Sequence, residues 1–91
     1  SVGGAVEALV RAIAREVAPK RINIVSPGTI DTPMVATQGE ERATFYAKAT
    51  ASNIIPRAGT ADEVAQGIIF LIQNDFVTGT TADVDGGWLL S

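Results

Sequence analysis

The sequence predicts an α/β chain: a strand–helix–strand unit with a long helix ahead of it and a long helical connection inside it. Three observations carry that prediction. Arg21-Ile22-Asn23-Ile24-Val25-Ser26 is a β-branched run that ends on Pro27-Gly28. Thr60-Ala61-Asp62-Glu63 opens an apolar run of helical period. Thr80 to Val84 reads as a second short strand, closed by Asp85-Gly86-Gly87. Two strands joined through a helix are parallel, with a right-handed crossover.

The leading helix is expected over Val2 to Ala18. Its apolar residues Val2, Val6, Leu9, Val10, Ile13 and Val17 recur at steps of three and four, and Pro19 ends it. Such a helix would be roughly 25 Å long. Ala5, Ala8, Ala12 and Ala14 keep much of the remaining surface small, which suits packing on a sheet and, on another side, against a second helix or subunit. No start cap precedes Val2, so the helix is expected to begin upstream of Ser1 and the chain to have been cut there.

In the strand that follows, Ile22 and Ile24 point to one face and Val25 to the other, as in a strand covered on both sides. Pro27 has no N–H, so pairing is expected to stop at Ser26. Gly28 allows unusual φ values and a close approach to the backbone. Carboxyl ends of strands in open α/β sheets are where ligands bind. There Ile30 offers main-chain groups and Thr32 a hydroxyl, a combination suited to a carboxamide or a phosphate. An ordinary strand-ending turn has the same residues.

Pro33 to Pro56 has no strand signal and a looser helical one, with Thr37 and Glu40 at capping-box spacing ahead of Phe45 and Tyr46. A connection of that length just past a ligand turn fits a lid or binding loop. It fits equally a solvated helix with two aromatics tucked beneath it. Next, Thr60 caps and Glu63 completes the box of a helix over 60–73, whose inward stripe is Val64, Ile68, Leu71 and Ile72. Asn74-Asp75 ends it. Two short parallel strands do not make a free-standing sheet. An upstream half or another copy is therefore expected to supply the missing strands.

The totals exclude several functions. Among 91 residues there are seven basic and ten acidic side chains, a net charge of −3, no cysteine and no histidine. No basic run tracks a phosphodiester backbone, so no nucleic-acid partner is expected. Disulfides and Ser-His-Asp or Cys-His catalysis cannot be built, and no metal site is expected. The longest strongly apolar run, Ile68 to Ile72, falls far short of the ~20 residues of a membrane span, so no membrane partner is expected. A soluble, cytoplasmic setting is the default expectation.

Five segments in this order resemble a known family. Helix, Arg21-Ile22-Asn23-Ile24-Val25-Ser26-Pro27-Gly28, Ile30-Asp31-Thr32-Pro33-Met34, Thr60-Ala61-Asp62-Glu63-Val64-Ala65, and Thr78-Gly79 with Asp85-Gly86-Gly87 are similar to the C-terminal part of a short-chain dehydrogenase/reductase. The resemblance covers nearly all of residues 1–91 and implies the C-terminal βαβ portion of one NAD(P)-binding Rossmann-like domain whose upstream half is missing. It implies an oxidoreductase that moves a hydride between NAD or NADP and an alcohol or carbonyl substrate. Pro27 and Gly28 would line the nicotinamide side, Ile30 would bind the carboxamide through its backbone, and Thr32 would contact the carboxamide or pyrophosphate. Residues 34–56 would form the substrate loop, which carries Met34, Phe45 and Tyr46. Asn23, Asp62 and Asp85 match strand-anchoring, helix-capping and final-bend positions. The first helix matches one that pairs across a dimer, so a homo-oligomer or association with the missing N-terminal half is expected.

The resemblance also implies a departure. The family's Tyr-x-x-x-Lys lysine falls on Gly3, and its tyrosine upstream of Ser1, so no catalytic residue is assigned to this chain. The 91 residues alone are expected to be inactive. The alternatives are a catalytically inactive assembly module, built on the first helix and the tail around Trp88-Leu89-Leu90, and a self-contained small α/β fold.

Overall fold

The computed structural model describes residues 2–32 and 38–90. Along the chain run α1 (Val2–Val17), β1 (Ile24–Pro27), β2 (Ile30–Asp31), α2 (Gly39–Ala49), β3 (Gly59–Thr60), α3 (Ala61–Gln73) and β4 (Thr81–Val84), followed by a 3-10 turn at Trp88–Leu90. β1 and β4 pair in parallel, with Ile24 opposite Thr81 and Pro27 opposite Val84, and α3 packs against both. β2 and β3 form a second parallel pair, Ile30 opposite Gly59 and Asp31 opposite Thr60. The expected strand–helix–strand unit is therefore present. The two-residue β2–β3 ladder is an addition to it.

The strand does not end at Ser26 as expected: pairing runs on through Pro27. The amides of Ile24 and Gly28 donate to the carbonyls of Thr80 and Val84, each at 2.9 Å. Donors alternate sides along a strand, so the position where Pro27 lacks its N–H faces away from β4. Proline costs this ladder nothing, because it stands on the opposite edge.

The strand ends are pinned by side chains. Asn23 donates from Nδ2 to the Val77 carbonyl (3.1 Å) and accepts the Thr80 amide at Oδ1 (3.0 Å), which anchors β1 to the start of β4 as expected. Arg21 spreads its guanidinium over the end of α3. It donates to the carbonyls of Leu71 (2.6 Å) and Ile72 (2.7 Å), groups that a helix C-terminus leaves without internal donors, and to that of Val77 (3.2 Å) beyond the helix. At the other end of α3 the capping box is complete: Glu63 N–H donates to Thr60 Oγ1 (3.1 Å), and Thr60 N–H to Glu63 Oε1 (2.9 Å). In α2 the cap position belongs to Gln38, which makes no side-chain cap bond, while Thr37 lies outside the described residues.

Little of this is buried. Val10, Tyr46 and Leu71 are the buried apolar side chains among the described residues, with Thr50 and Asn53 beside them. In α1, Ile13 and Val17 are half-covered, but Val6 and Leu9 of the same stripe are exposed. Ile68, Ile69, Phe70 and Ile72 of α3 and Phe76 after it also face outward. The radius of gyration is 15.4 Å and the longest dimension 48 Å. A compact chain of this length has a radius of about 12 Å. Its accessible surface is 6599 Å² at a mass of 9.4 kDa, where a folded monomer of that mass exposes roughly 5,000 Å². No helix among the described residues is long and apolar enough to cross a membrane.

Candidate functional site at the carboxyl ends of the strands

Beyond Pro27 the chain bends at Gly28, and the bend is held by the final turn of the chain. A β-carbon on Gly28 would lie 2.8 Å from the Asp85 Cα and 2.9 Å from its Cβ. The glycine is not in the left-handed region. The expectation that Gly28 supplies an unusual φ is thus corrected: here its missing side chain makes room for Asp85. Asp85 closes the final bend by accepting the Gly87 amide at Oδ1 (2.9 Å), as its sequence position implied. Gly86 and Gly87 both have positive φ, and they dock on the connector after α2: the Ile55 amide donates to the Gly86 carbonyl at 2.8 Å.

From this bend Thr29 accepts the Gly59 amide (2.9 Å), which seats β2 beside β3. The alternate main-chain groups, those of Ile30 and Thr32, point to the edge away from β3. α2 reaches that edge with two side chains one helical turn apart. The Tyr46 hydroxyl accepts from the Thr32 amide (3.3 Å) and donates to the Ile30 carbonyl (3.4 Å). Arg42 pairs with the Asp31 carboxylate and donates from Nη2 to the Thr32 carbonyl at 2.7 Å. Its guanidinium carbon stands 5.3 Å from the Tyr46 ring centroid, and hydrogen bonding to Asp31, with the Asp31 and Tyr46 charges, raises the Arg42 pKa.

The sequence-predicted residues do not all share one environment. Ile30, Thr32 and Tyr46 converge on one strand edge. Pro27 is exposed at the end of β1. The two aromatics are not both tucked under α2: Tyr46 is buried, whereas Phe45 is half-exposed and meets it edge-on at 5.3 Å. Phe45 instead lines an outer groove with Glu40, Glu41, Thr44 and Lys48. Met34 lies outside the described residues. Asp31 and Arg42 were not singled out in the sequence, although Arg42 and Tyr46 stand at i, i+4 on one helix face, which was the available signal.

A cleft of about 300 Å³ lies on the other flank of the bend. Of the turn residues it takes Thr29, and its remaining wall includes Ile55, Arg57, Gly59, Glu63 and the segment Asp83–Gly87. Arg57 forks onto both Glu63 carboxylate oxygens at 2.8 and 2.9 Å. That contact first, then the Thr60 amide, holds the Glu63 pKa down to about 2. Pro27, Gly28, Ile30 and Thr32 do not line this cleft. Two of its charged groups, Arg57 and Glu63, are engaged with each other.

Comparison with known proteins decides the family. A family model described as enoyl-(acyl carrier protein) reductase matches residues 2–89. The chain belongs to the short-chain dehydrogenase/reductases. It is 37% identical over 90 residues to the short-chain dehydrogenase/reductase ATR9 of Stachybotrys chlorohalonatus, covering 99% of this chain and 36% of that protein. It is 42% identical over 84 residues to a 3-oxoacyl-[acyl-carrier-protein] reductase of Bos taurus, covering 89% of this chain and 32% of that protein. Among solved structures, a small-chain dehydrogenase in complex with NADPH superposes with a TM-score of 0.80 at 36% identity, over 97% of this chain and 41% of that one. The chain thus spans about a third of the length of these curated relatives. Its parallel strands and helices are part of the Rossmann-like short-chain dehydrogenase/reductase fold.

Proposed function

We propose that this chain is the nicotinamide-side part of an NAD(P)-dependent oxidoreductase that interconverts an alcohol and a carbonyl compound. The observation that carries the reading is the edge of β2: main-chain groups of Ile30 and Thr32 face away from β3 at the carboxyl end of a parallel pair, where the Tyr46 hydroxyl bridges the Ile30 carbonyl and the Thr32 amide in the place a carboxamide would take. A carboxamide has one carbonyl acceptor and one NH₂ donor, and a strand edge offers the complementary N–H and C=O. The residues present therefore fit the group. When bound, the dinucleotide supplies the hydride chemistry.

In this reading Ile30 and Thr32 hold the carboxamide, and Pro27 and Gly28 form the wall behind it. Residues 34–56 border the substrate, with Met34 and Phe45 on the substrate side. Gly3 stands where the family resemblance puts a lysine, so the 91 residues by themselves are assigned no proton donor and no turnover. The relatives' names and the neighbour bound to NADPH support the cofactor class; NAD and NADP are both retained. The exposed apolar faces of α1 and α3 support assembly with further chain or with a second copy. Those same faces also favour a second reading, a catalytically inactive assembly module.

One experiment separates the readings. Intact protein carrying this chain is titrated with NADH and with NADPH, following Trp88 fluorescence, and assayed for hydride transfer to a panel of carbonyl compounds. Binding with turnover is the expected result. Absence of both would leave the assembly module. For the isolated 91 residues, submicromolar cofactor binding would overturn the assignment of an incomplete crevice.

A further inference from the structure

We propose that Tyr46 competes with the cofactor for the β2 edge, so that its hydroxyl must leave before the carboxamide docks. The inference rests on the carboxamide reading above and adds regulation to that same site. The Tyr46 hydroxyl accepts from the Thr32 amide and donates to the Ile30 carbonyl. It thereby offers one acceptor and one donor to the two main-chain groups that a carboxamide would engage with its C=O and NH₂. One edge cannot serve both.

Bond lengths favour the ligand. A single oxygen spans the two groups at 3.3 and 3.4 Å, longer than the roughly 2.5 to 3.2 Å of ordinary hydrogen bonds. A carboxamide carries its acceptor and its donor on separate atoms and reaches each group with its own. The helix is also lightly held. Tyr46 is the buried residue of α2, Arg42 is half-covered, and the rest of the helix is exposed. An element with so little buried surface separates from its support at low cost. Its C-terminal end is tied down: the Thr50 hydroxyl donates to the Tyr46 carbonyl (2.8 Å), the Asn53 amide to the Thr50 carbonyl (3.0 Å), and Asn53 Nδ2 to the Asp85 carbonyl (3.4 Å). A tilt about the turn from Thr50 to Asn53 lifts Tyr46 and Arg42 from β2 and leaves the final bend in place. Cofactor affinity is then scaled by the fraction of time that the edge is open.

The test is Tyr46→Phe in the intact protein, which deletes the hydroxyl and keeps the ring with its Arg42 and Phe45 contacts. NADH and NADPH are titrated beside ADP-ribose and its 2′-phosphate, which lack the nicotinamide. The variant is expected to bind the dinucleotides about fivefold more tightly, the worth of roughly one hydrogen bond, and the ADP-riboses as before. Unchanged or weaker dinucleotide binding would overturn the competition. An equal gain for the ADP-riboses would overturn it too, since the effect would then lie away from the carboxamide. Exchange of the Thr32 amide without ligand, expected to be about fivefold faster in the variant, reports the hydroxyl contact itself; unchanged exchange would overturn that contact even where cofactor binds. Should neither protein bind either dinucleotide, the carboxamide reading falls, and the competition with it.

Discussion

Gly28 and Asp85 touch backbone to backbone: the space a Gly28 side chain would need is filled by the Asp85 Cα at 2.8 Å, its Cβ at 2.9 Å and its carbonyl oxygen at 3.2 Å. Two turns at the carboxyl ends of neighbouring parallel strands are thereby locked together. Gly28→Ala forces one of them to move, and none of the three atoms is the free end of a flexible side chain. A loss of about 1 to 3 kcal/mol is expected from such overpacking. Denaturant unfolding of the intact variant measures it; a change under about 0.5 kcal/mol would mean that the turns are not locked.

Arg21 ties three carbonyls at and just beyond the end of α3 to the entry of β1. Its ion pair with Asp75, at 3.9 Å to an almost fully exposed carboxylate, adds little. Replacing Arg21 by Ala strips charged donors from part-buried carbonyls and is expected to cost about 2 kcal/mol. Lysine, a point charge without the planar fork, should recover less than half of that. Exchange of the Asn74 amide, bonded to Phe70, is the local probe.

The Glu63 carboxylate should titrate near pH 2, against an ordinary 4.5, because Arg57 and the Thr60 amide favour its charged form. A carboxyl whose folded pKa is depressed stabilises the fold above its unfolded value. That contribution is lost as pH falls from about 4.5 toward 2. Carboxyl chemical shifts followed through an acid titration read the midpoint directly. Arg57→Ala is expected to move it upward toward the ordinary range, and an unmoved midpoint would assign the depression to the helix end alone.

Asp83 is shifted the other way. Desolvation first, then the charges of Asp85 and Glu7, raise its pKa. Since the folded state then binds the proton more readily than the unfolded one, the charged form of Asp83 opposes folding at neutral pH. Asp83→Asn is expected to raise the unfolding midpoint at pH 7, with the gain shrinking as pH falls through the raised pKa. A gain that persists unchanged into acid would point to packing and not charge.

Local chemistry with a fixed spacing was legible in the sequence. Thr60 and Glu63 announce their own helix start, Pro19 limits α1, and Asn23 and Asp85 hold the strand and the bend as their positions implied. The β2–β3 pair was not legible, because two residues show no period of any kind. Pro27 misled for a definite reason: a missing donor ends a strand only if it points at the partner, and which way it points depends on the register with β4. Phe45 and Tyr46 are adjacent on α2, so they leave the helix in different directions, and only the position of β2 decides which one is buried. Arg21 and Arg42 gave no warning of their contacts, since a single basic side chain belongs to no pattern until its acceptors are in place.

The hydrogen bond that seats β1 beside β4 joins Asn23 to Thr80, 57 residues further along the chain. On the ribosome, β1 must therefore wait, unsatisfied, for several seconds at ordinary translation speeds of about 5 to 20 residues per second. During that interval its open edge is available to any other extended polypeptide nearby. Molecular chaperones would find their substrate there, in the unfinished chain.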